Sequence, residues 1–299
     1  MNEISGVLIL DKPCGFTSHD AVNKIRRLYD TKKVGHTGTL DPMATGVLVM
    51  LIGRAAKAAE YLVSDDKKYI AGLLLGEKYD TGDITGKLVY KSEEIPPENR
   101  VESVIQSFVG ESFQLPPMYS AVKIGGKKLV DLARKGIEVE RKPRKIEIFS
   151  LGAHRENERS YTLDIHCSKG TYIRTLCEDI GEKLGCGAAM SSLRRISSGN
   201  FEIAKSHTLE ELENMDFSSR AGLLLDTESL FSELPKVKLS DFYARLCASG
   251  QEIYLNKINI DLCLSQRVRI YDKNGFFALG EVREFTCGRA IKPIKQFVI

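Results

Sequence analysis

The 299-residue sequence has no apolar run approaching the ~20 residues needed to span a bilayer. Its opening, Met1-Asn2-Glu3-Ile4, lacks the basic start and apolar core of a secretory signal. A cytoplasmic protein with no membrane partner is expected. The seven cysteines, at 14, 167, 177, 186, 247, 263 and 287, are odd in number and include no C-x-x-C pair. That pattern argues against a disulfide framework or a zinc knuckle and for reduced thiols. Histidines 19, 36, 154, 166 and 207 form neither H-E-x-x-H nor a His/Cys ligand cluster, so no metal is implied. Also absent are G-x-x-x-x-G-K-[ST], a G-x-G-x-x-G following a strand, and a G-x-S-x-G elbow. Nucleotide hydrolysis, nicotinamide chemistry and α/β-hydrolase action lose support with them. There is no internal repeat and no low-complexity stretch.

What is present is an ordinary globular composition, 42% hydrophobic and 28% charged, with length for a large domain plus a smaller one or for two comparable ones. The net charge of +3 conceals segregation. Residues 118–145 carry nine Lys/Arg against three Asp/Glu, and residues 236–299 carry eleven against six, so the remainder of the chain is acidic. Clustered positive charge suits a polyphosphate backbone. For the second segment alone, solubilisation is the simpler explanation; for 118–145 it is not.

Along the chain, Gly6–Leu10 reads as a strand and Ser18 as the N-cap of a helix with Ala21, Val22, Ile25 and Leu28 on one face. From Lys32 to Gly46 no apolar period exists, and glycines 35, 38 and 46 mark a long ordered loop. Strands are predicted over 47–52 and 69–75, with an Ala-rich helix between them (Ala55, Ala56, Ala58, Ala59, Leu62), and a linker over 91–99. A helix follows on Val101, Val104, Ile105 and Phe108, then an alternating strand over 161–167 and a helix on Ile173, Leu176, Ile180 and Leu184. Thr208-x-x-Glu211 has the form of a capping box. Beyond Pro235, residues 266–282 read as a hairpin around Asn274-Gly275 within a small all-β domain.

One loop could carry chemistry: Gly35-His36-Thr37-Gly38-Thr39-Leu40-Asp41-Pro42. Glycines allow close approach of backbone to a ligand. Taken alone, Asp-Pro is as good a helix N-cap with Pro at the first helical position.

Five blocks in order change that balance. They are Gly6-x-Leu8-x-x-Asp11-Lys12-Pro13-x-Gly15-x-Thr17-Ser18, Gly35 to Leu48, Lys68-Tyr69 with Gly76-x-x-x-Asp80-Thr81-x-Asp83, Pro116-Pro117-Met118-Tyr119-Ser120-Ala121-Val122-Lys123, and Ser168-Lys169-Gly170-Thr171-Tyr172-Ile173-Arg174-Thr175-Leu176. Together they resemble the tRNA pseudouridine-55 synthase (TruB) family of bacterial type, nearly end to end. The resemblance implies an α+β fold with a mixed, largely antiparallel central sheet flanked by helices. It further implies a catalytic domain over 1–235 with a thumb insertion at about 117–145, and a small PUA-like β-barrel over 236–299. The implied reaction is cofactor-free isomerisation of uridine 55 in the T loop of tRNA, by a monomer without an obligatory protein partner. Asp41 then corresponds to the catalytic aspartate, Arg174 to its ion-pairing arginine, and Tyr69 to the tyrosine that stacks on the target base and can move a proton from the sugar.

By the same resemblance Leu193 lines the pocket and His36 fills the space vacated by the flipped uridine. Lys12, Lys123, Lys127, Lys128, Arg141, Lys142 and Arg144, with Lys145, are candidates for contacts to tRNA, chiefly its T arm, and the C-terminal segment for the acceptor end. Val130 departs from the family, which often has an aromatic there. Read individually, Arg174 would be an exposed helix-face arginine, Tyr69 and Leu193 core residues, and His36 incidental. Guide-RNA-dependent synthases of the same fold, and a tRNA-binding folding aid, are the rival readings.

Overall fold

The computed structural model describes residues 4–62, 66–120, 122–133 and 135–297, without the side chains of Lys123, Ile124 and Lys128. Two strands are apolar without alternation, Gly6–Lys12 and Thr45–Ile52, and such strands must be covered on both faces. They pair antiparallel towards one edge of a ten-stranded sheet. Leu8, Leu10, Leu48, Met50 and Ile52 join the main core. Val7, Ile9, Val47, Val49 and Leu51 form a second cluster with Ala55 and Phe201 on the other face.

From one edge the strand order is His207–Thr208, Gly6–Lys12, Thr45–Ile52, Ala188–Ser198, Lys67–Leu75, Ser160–Cys167, Arg144–Arg155 and Gly110–Gln114. Only the first pair, and Thr45–Ile52 on Ala188–Ser198, run parallel. The sheet is thus mixed and largely antiparallel. Strand Ser160–Cys167 alternates as its sequence suggests, with Tyr161, Leu163, Ile165 and Cys167 buried. Helices Ser18–Leu28, Glu98–Gln106 and Ile173–Leu184 cover the main core with Ile25, Val101, Ile105, Leu176 and Ile180.

Several local expectations change. Thr17, not Ser18, caps the first helix through a reciprocal box with Asp20. Ser18 is buried, and its hydroxyl donates to the Leu40 carbonyl (3.1 Å) and accepts from the Leu40 N–H (2.9 Å). Three residues of the predicted loop, Val34–His36, extend the sheet beside Met50–Ile52. The Ala-rich segment is a short 3₁₀ helix, Gly53–Ala58. The supposed linker is partly ordered: Leu88–Lys91 pairs with Glu77–Tyr79 and helix Glu98–Gln106 begins inside it. The Thr208/Glu211 box forms as predicted.

Residues beyond 235 build a curled, five-stranded half-barrel ordered Lys236–Lys238, Arg267–Asp272, Gly275–Phe285, Gly288–Gln296 and Ile253–Tyr254. It is not all-β, because helices Asp241–Ala248 and Leu255–Ile258 complete its apolar cluster with Ala244, Cys247 and Leu255. Ala58, Phe231, Leu279 and Phe297 join it to the main body, with Lys295–Glu60 at 2.6 Å beside them. No helix among the described residues is long and apolar enough to cross a membrane.

Of the three loop glycines, Gly46 is under the tightest constraint. Its φ is +102°, and a Cβ there would lie 2.2 Å from the Arg195 carbonyl oxygen on the parallel neighbour. Gly35 has open space around it. Gly46→Ala is expected to lose at least about 2 kcal/mol of stability, as strain plus a backbone clash, while Gly35→Ala stays within about 1 kcal/mol of the native chain. Urea denaturation of both variants measures this, and equal midpoints would contradict it.

Candidate active site

The loop preceding Asp41 has little regular structure, so its shape depends on side chains that satisfy its backbone groups. Ser18 holds Leu40 through both of its peptide groups. On the other side of Asp41, the Pro42 carbonyl accepts from the Gly15 N–H (2.8 Å) and from the Lys12 ammonium (3.4 Å). Lys12 also donates to the carbonyls of Pro13 (2.8 Å) and Phe16 (2.7 Å). Further back, Arg195 donates from Nε to Val47 (2.7 Å) and from its terminal nitrogens to Gly38 (3.1 Å) and Thr39 (3.5 Å). No helix follows Asp41; the Ala44 N–H closes a turn on its carbonyl, so the residue is not a helix cap.

Asp41 points at Arg174. The guanidinium meets both carboxylate oxygens: a terminal nitrogen donates to Oδ1 at 3.1 Å, and Nε lies in ion-pair contact with Oδ2 at 2.9 Å. Arg174 is 5% exposed, unlike a solvated arginine on a helix face. Its other donors reach the carbonyls of Thr81 (2.9 Å) and Tyr119 (2.7 Å). Helix Ile173–Leu184 presents it from the first turn, and buried Gln114 fixes that start by bonding both peptide groups of Tyr172 (2.7 and 3.0 Å). A second buried carboxylate, Asp83, lies 3.9 Å from Arg174 Nε. Asp83 accepts from the Thr85 N–H (3.0 Å) and from the hydroxyls of Thr81 and Thr85.

Burial pushes the Asp41 carboxyl above the usual aspartate range; the Arg174 charge opposes this and the Asp83 charge adds to it. The cation therefore limits the cost of ionisation without overcoming burial, the reverse of what pairing alone would give. Tyr69, on the central strand Lys67–Leu75, is 6% exposed. Burial raises its hydroxyl pKa, with Arg195 opposing through charge and a hydrogen bond, so at neutral pH it is a phenol. The Lys12 ammonium is lowered to about 8, burial being the largest cause, and remains mostly protonated at pH 7.

Asp41, Tyr69, Arg174 and Leu193 line one cavity of ≈ 250 Å³, with Lys67, Tyr119, Ser120 and Arg195. That is slightly below the ~300 Å³ floor typical of small-molecule pockets, a size for one flat ring and its sugar. The first residues of helix Ile173–Leu184 open onto it, so the partial positive end of a twelve-residue helix adds to Arg174. A wider cleft of ≈ 580 Å³ lies beside helix Asp241–Ala248, but Lys273 is paired there with Asp241 and none of the residues gathered around Arg174 reaches it. Among the described residues no group of His, Cys, Asp and Glu could hold a metal ion.

Other predicted residues fall elsewhere. His36 is outside the cavity wall, half-buried at the end of its short strand. Its Nδ1 has no partner and burial lowers its pKa, so it is neutral at pH 7. Lys12, expected to contact substrate, is fully buried with its ammonium surrounded by carbonyls, and it braces the Asp41 loop instead. The segment expected to be the thumb runs between the paired strands Gly110–Gln114 and Arg144–Arg155. It carries a small hairpin, Lys123–Ile124 with Lys127–Lys128, and a short helix, Leu129–Ala133, in which Val130 is half-buried. Lys127, Lys142 and Arg144 are exposed. The side chains of Lys123 and Lys128 lie outside the described part. Arg141 departs from expectation, since it donates to the Pro116 carbonyl (3.0 Å) and Glu138 (3.2 Å) and so braces the thumb's root rather than facing a phosphate. Lys145 is paired with Glu111 at 2.6 Å.

Sequence reasoning named no role for Arg195, Asp83 or Tyr119, and gave Ser18 a helix cap that it does not make. Each stood inside a quoted block or beside Leu193. Their roles depend on contacts 22 to 157 residues apart in sequence, which no local pattern encodes.

Comparison with known proteins identifies the family. The family model described as TruB family pseudouridylate synthase (N terminal domain) matches residues 26–173, and the one described as tRNA pseudouridylate synthase B C-terminal domain matches 174–232. The chain is 42% identical over 285 residues to the tRNA pseudouridine synthase B of Neisseria gonorrhoeae, covering 95% of this chain and 92% of that one. It is 47% identical over 238 residues to the protein of the same name from Syntrophotalea carbinolica, covering 79% and 78%. A chain in the structure of an H/ACA ribonucleoprotein bound to a substrate RNA containing 2'-deoxyuridine shares the fold, with a TM-score of 0.73 at 24% identity over 98% of this chain and 85% of that one. The chain therefore belongs to the TruB family of pseudouridylate synthases, and it is an isomerase.

Proposed function

We propose that the protein converts uridine 55 in the T loop of tRNA to pseudouridine, acting alone as a monomer and without a cofactor. The observation that carries this reading is the Asp41–Arg174 fork on the wall of a cavity of nucleoside size, with the Tyr69 ring in the same wall. The curated relatives are named as tRNA enzymes, which supports tRNA as the substrate.

The reaction breaks the bond from uracil N1 to C1′, turns the base, and joins C5 to C1′; C5 loses a proton and N1 gains one. Breaking the glycosidic bond builds positive character at C1′, which an ionised Asp41 stabilises or traps. A uridine within a folded loop must leave its stack to reach that carboxylate. Tyr69 then stacks on the base and, as a phenol with Arg195 beside it, can relay a proton from the sugar. Leu193 packs against the same base, and neutral His36 fills the space it leaves in the RNA.

Lys127, Lys142 and Arg144, with Lys123 and Lys128, contact phosphates of the T arm. The half-barrel beyond residue 235 is the RNA-binding domain that meets the acceptor end, and residues 1–235 are the catalytic domain. Fold and electrostatics supply the rate, not a bound metal or ATP.

Incubating the protein with unmodified tRNA transcript, without ATP, metal or guide RNA, and mapping pseudouridine by chemical labelling and primer extension tests this directly. Product at position 55 is expected, and none would overturn the stand-alone reading. Asp41→Asn is expected to slow product formation by at least roughly a thousandfold while tRNA binding persists; undiminished product would remove Asp41 from its role.

Activity needs the Asp41 anion, and burial raises its pKa. The acid limb of the single-turnover rate should therefore lie above the ~3.9 of a free aspartate. Arg174→Gln removes the opposing cation, so it should move that limb to higher pH and lower the plateau by roughly a hundredfold or more. A limb that stays in place would show that Arg174 does not set the carboxylate's charge.

A further inference from the structure

The catalytic cavity occupies one side of the strand ends; on the other side lies a second cavity of ≈ 390 Å³, lined by Asp66, Glu147, Phe149, His166, Ser168 and Lys169. The two are one residue apart along the chain at two places. Lys67 lines the first and Asp66 the second, and Gly170 lines the first and Lys169 the second. Adjacent Cα atoms are about 3.8 Å apart, so the two linings share the same stretches of backbone.

Its chemistry is specific. Phe149 is 44% exposed, although burying an aromatic ring is strongly favourable. Its ring meets the His166 ring at 4.8 Å between centroids with planes tilted by 53°. His166 is held from behind by a hydrogen bond from Nε2 to the Asp66 carboxylate. Ser168 is committed to the backbone of Glu147, accepting from its N–H at 2.9 Å while its own N–H donates to the Glu147 carbonyl at 2.8 Å. This leaves an aromatic edge and face, a carboxylate on Glu147, and the exposed Lys169 at the rim.

Two carboxylates in the lining disfavour a phosphate inside the cavity. A ring with N–H donors on its edge is what they favour, since Asp and Glu accept from the amino groups of bases. Exposed aromatics beside basic residues are a general way to hold an unstacked base. Strand Arg144–Arg155 carries both the exposed Arg144 and the exposed Phe149.

We infer that this second cavity is an RNA subsite: it takes one unpaired base bearing amino or imino donors, from the same RNA whose uridine enters the catalytic cavity. Phe149 and His166 stack on it, Glu147 accepts from its edge, and Lys169 meets its phosphate. The inference rests on the proposed function for the identity of the RNA, and it adds a contact outside the catalytic constellation.

Filter binding of unmodified tRNA, run in parallel with pseudouridine formation by the same preparations, tests it. Phe149→Ala is expected to raise Kd roughly tenfold, with a smaller effect on the single-turnover rate at saturating enzyme and no change in the salt slope. Phe149→Tyr, which keeps the ring, should restore most of the affinity, and Lys169→Ala should reduce the salt slope by about one. If the wild-type protein makes no product, the proposed function fails. If it makes product and Phe149→Ala binds tRNA as tightly as wild type, the subsite fails. A Phe149→Ala defect that Phe149→Tyr does not rescue also overturns it, because a stacking role requires only the ring.

Discussion

A guanidinium has five N–H donors in a fixed plane, and Arg174 spends its own on three separate parts of the chain. One donates to Asp41, with Nε in ion-pair contact beside it, and others reach Thr81 in the polar turn and Tyr119 beyond strand Gly110–Gln114. A buried charge is tolerated only when it is paired and hydrogen-bonded. The position of Arg174 therefore requires the loop, the turn and the thumb's root to converge, and none of them has regular structure sufficient to do so alone. Gln114 completes the arrangement from the helix side, locking Tyr172 two residues before the arginine. Loss of Arg174 would leave two carboxylates close together in a poorly hydrated place, so the site and the local fold are one electrostatic problem.

The loop bearing Asp41 meets the same constraint from the opposite direction. Its backbone groups have few partners in the sheet, and Ser18, Lys12 and Arg195 supply them. Each is buried, and each comes from a block that flanks the loop in space and not in sequence. Lys12 and Arg195 bring positive charge with their hydrogen bonds, and both lie near enough to act on the ionisable groups of the cavity. Fastening the loop and biasing the site towards anions are thus done by the same side chains.

These two facts explain what the sequence made legible. Periodicity located the helix Ile173–Leu184 and the alternating strand Ser160–Cys167, because burial of one face leaves a repeat along the chain. It failed for Val34–His36, where three residues join a sheet without any repeat to announce them. It also misjudged Ser18, whose side chain suits a cap but is drawn inward by Leu40. The helices beside the half-barrel were hidden for a similar reason, being short and only partly apolar on their inner faces. Arg141 and Lys12 looked like free cations because charge on a sequence carries no sign of where its hydrogen bonds go. The motif blocks picked out Asp41, Tyr69 and Arg174, but the distances among them, and the parts of Asp83 and Tyr119, depend on contacts made only once the chain is folded.

The opposed effects on Asp41 suit a reaction that begins in water and proceeds without it. In the open cavity the Asp41 side chain keeps 32% of its surface exposed, so some hydration still steadies its charge. A base filling the cavity would remove that hydration and raise the cost of the anion. It would also lower the local dielectric, which strengthens attraction between charges already in contact. Arg174 is fixed at 2.9 Å by carbonyls that do not depend on substrate, so its attraction grows at the moment hydration is lost. The carboxylate is left with a single strong partner on one side and the sugar on the other. In the proposed reaction, a positive centre developing at C1′ would then meet an anion that little water screens, and the stabilisation would be greatest where the charge is greatest.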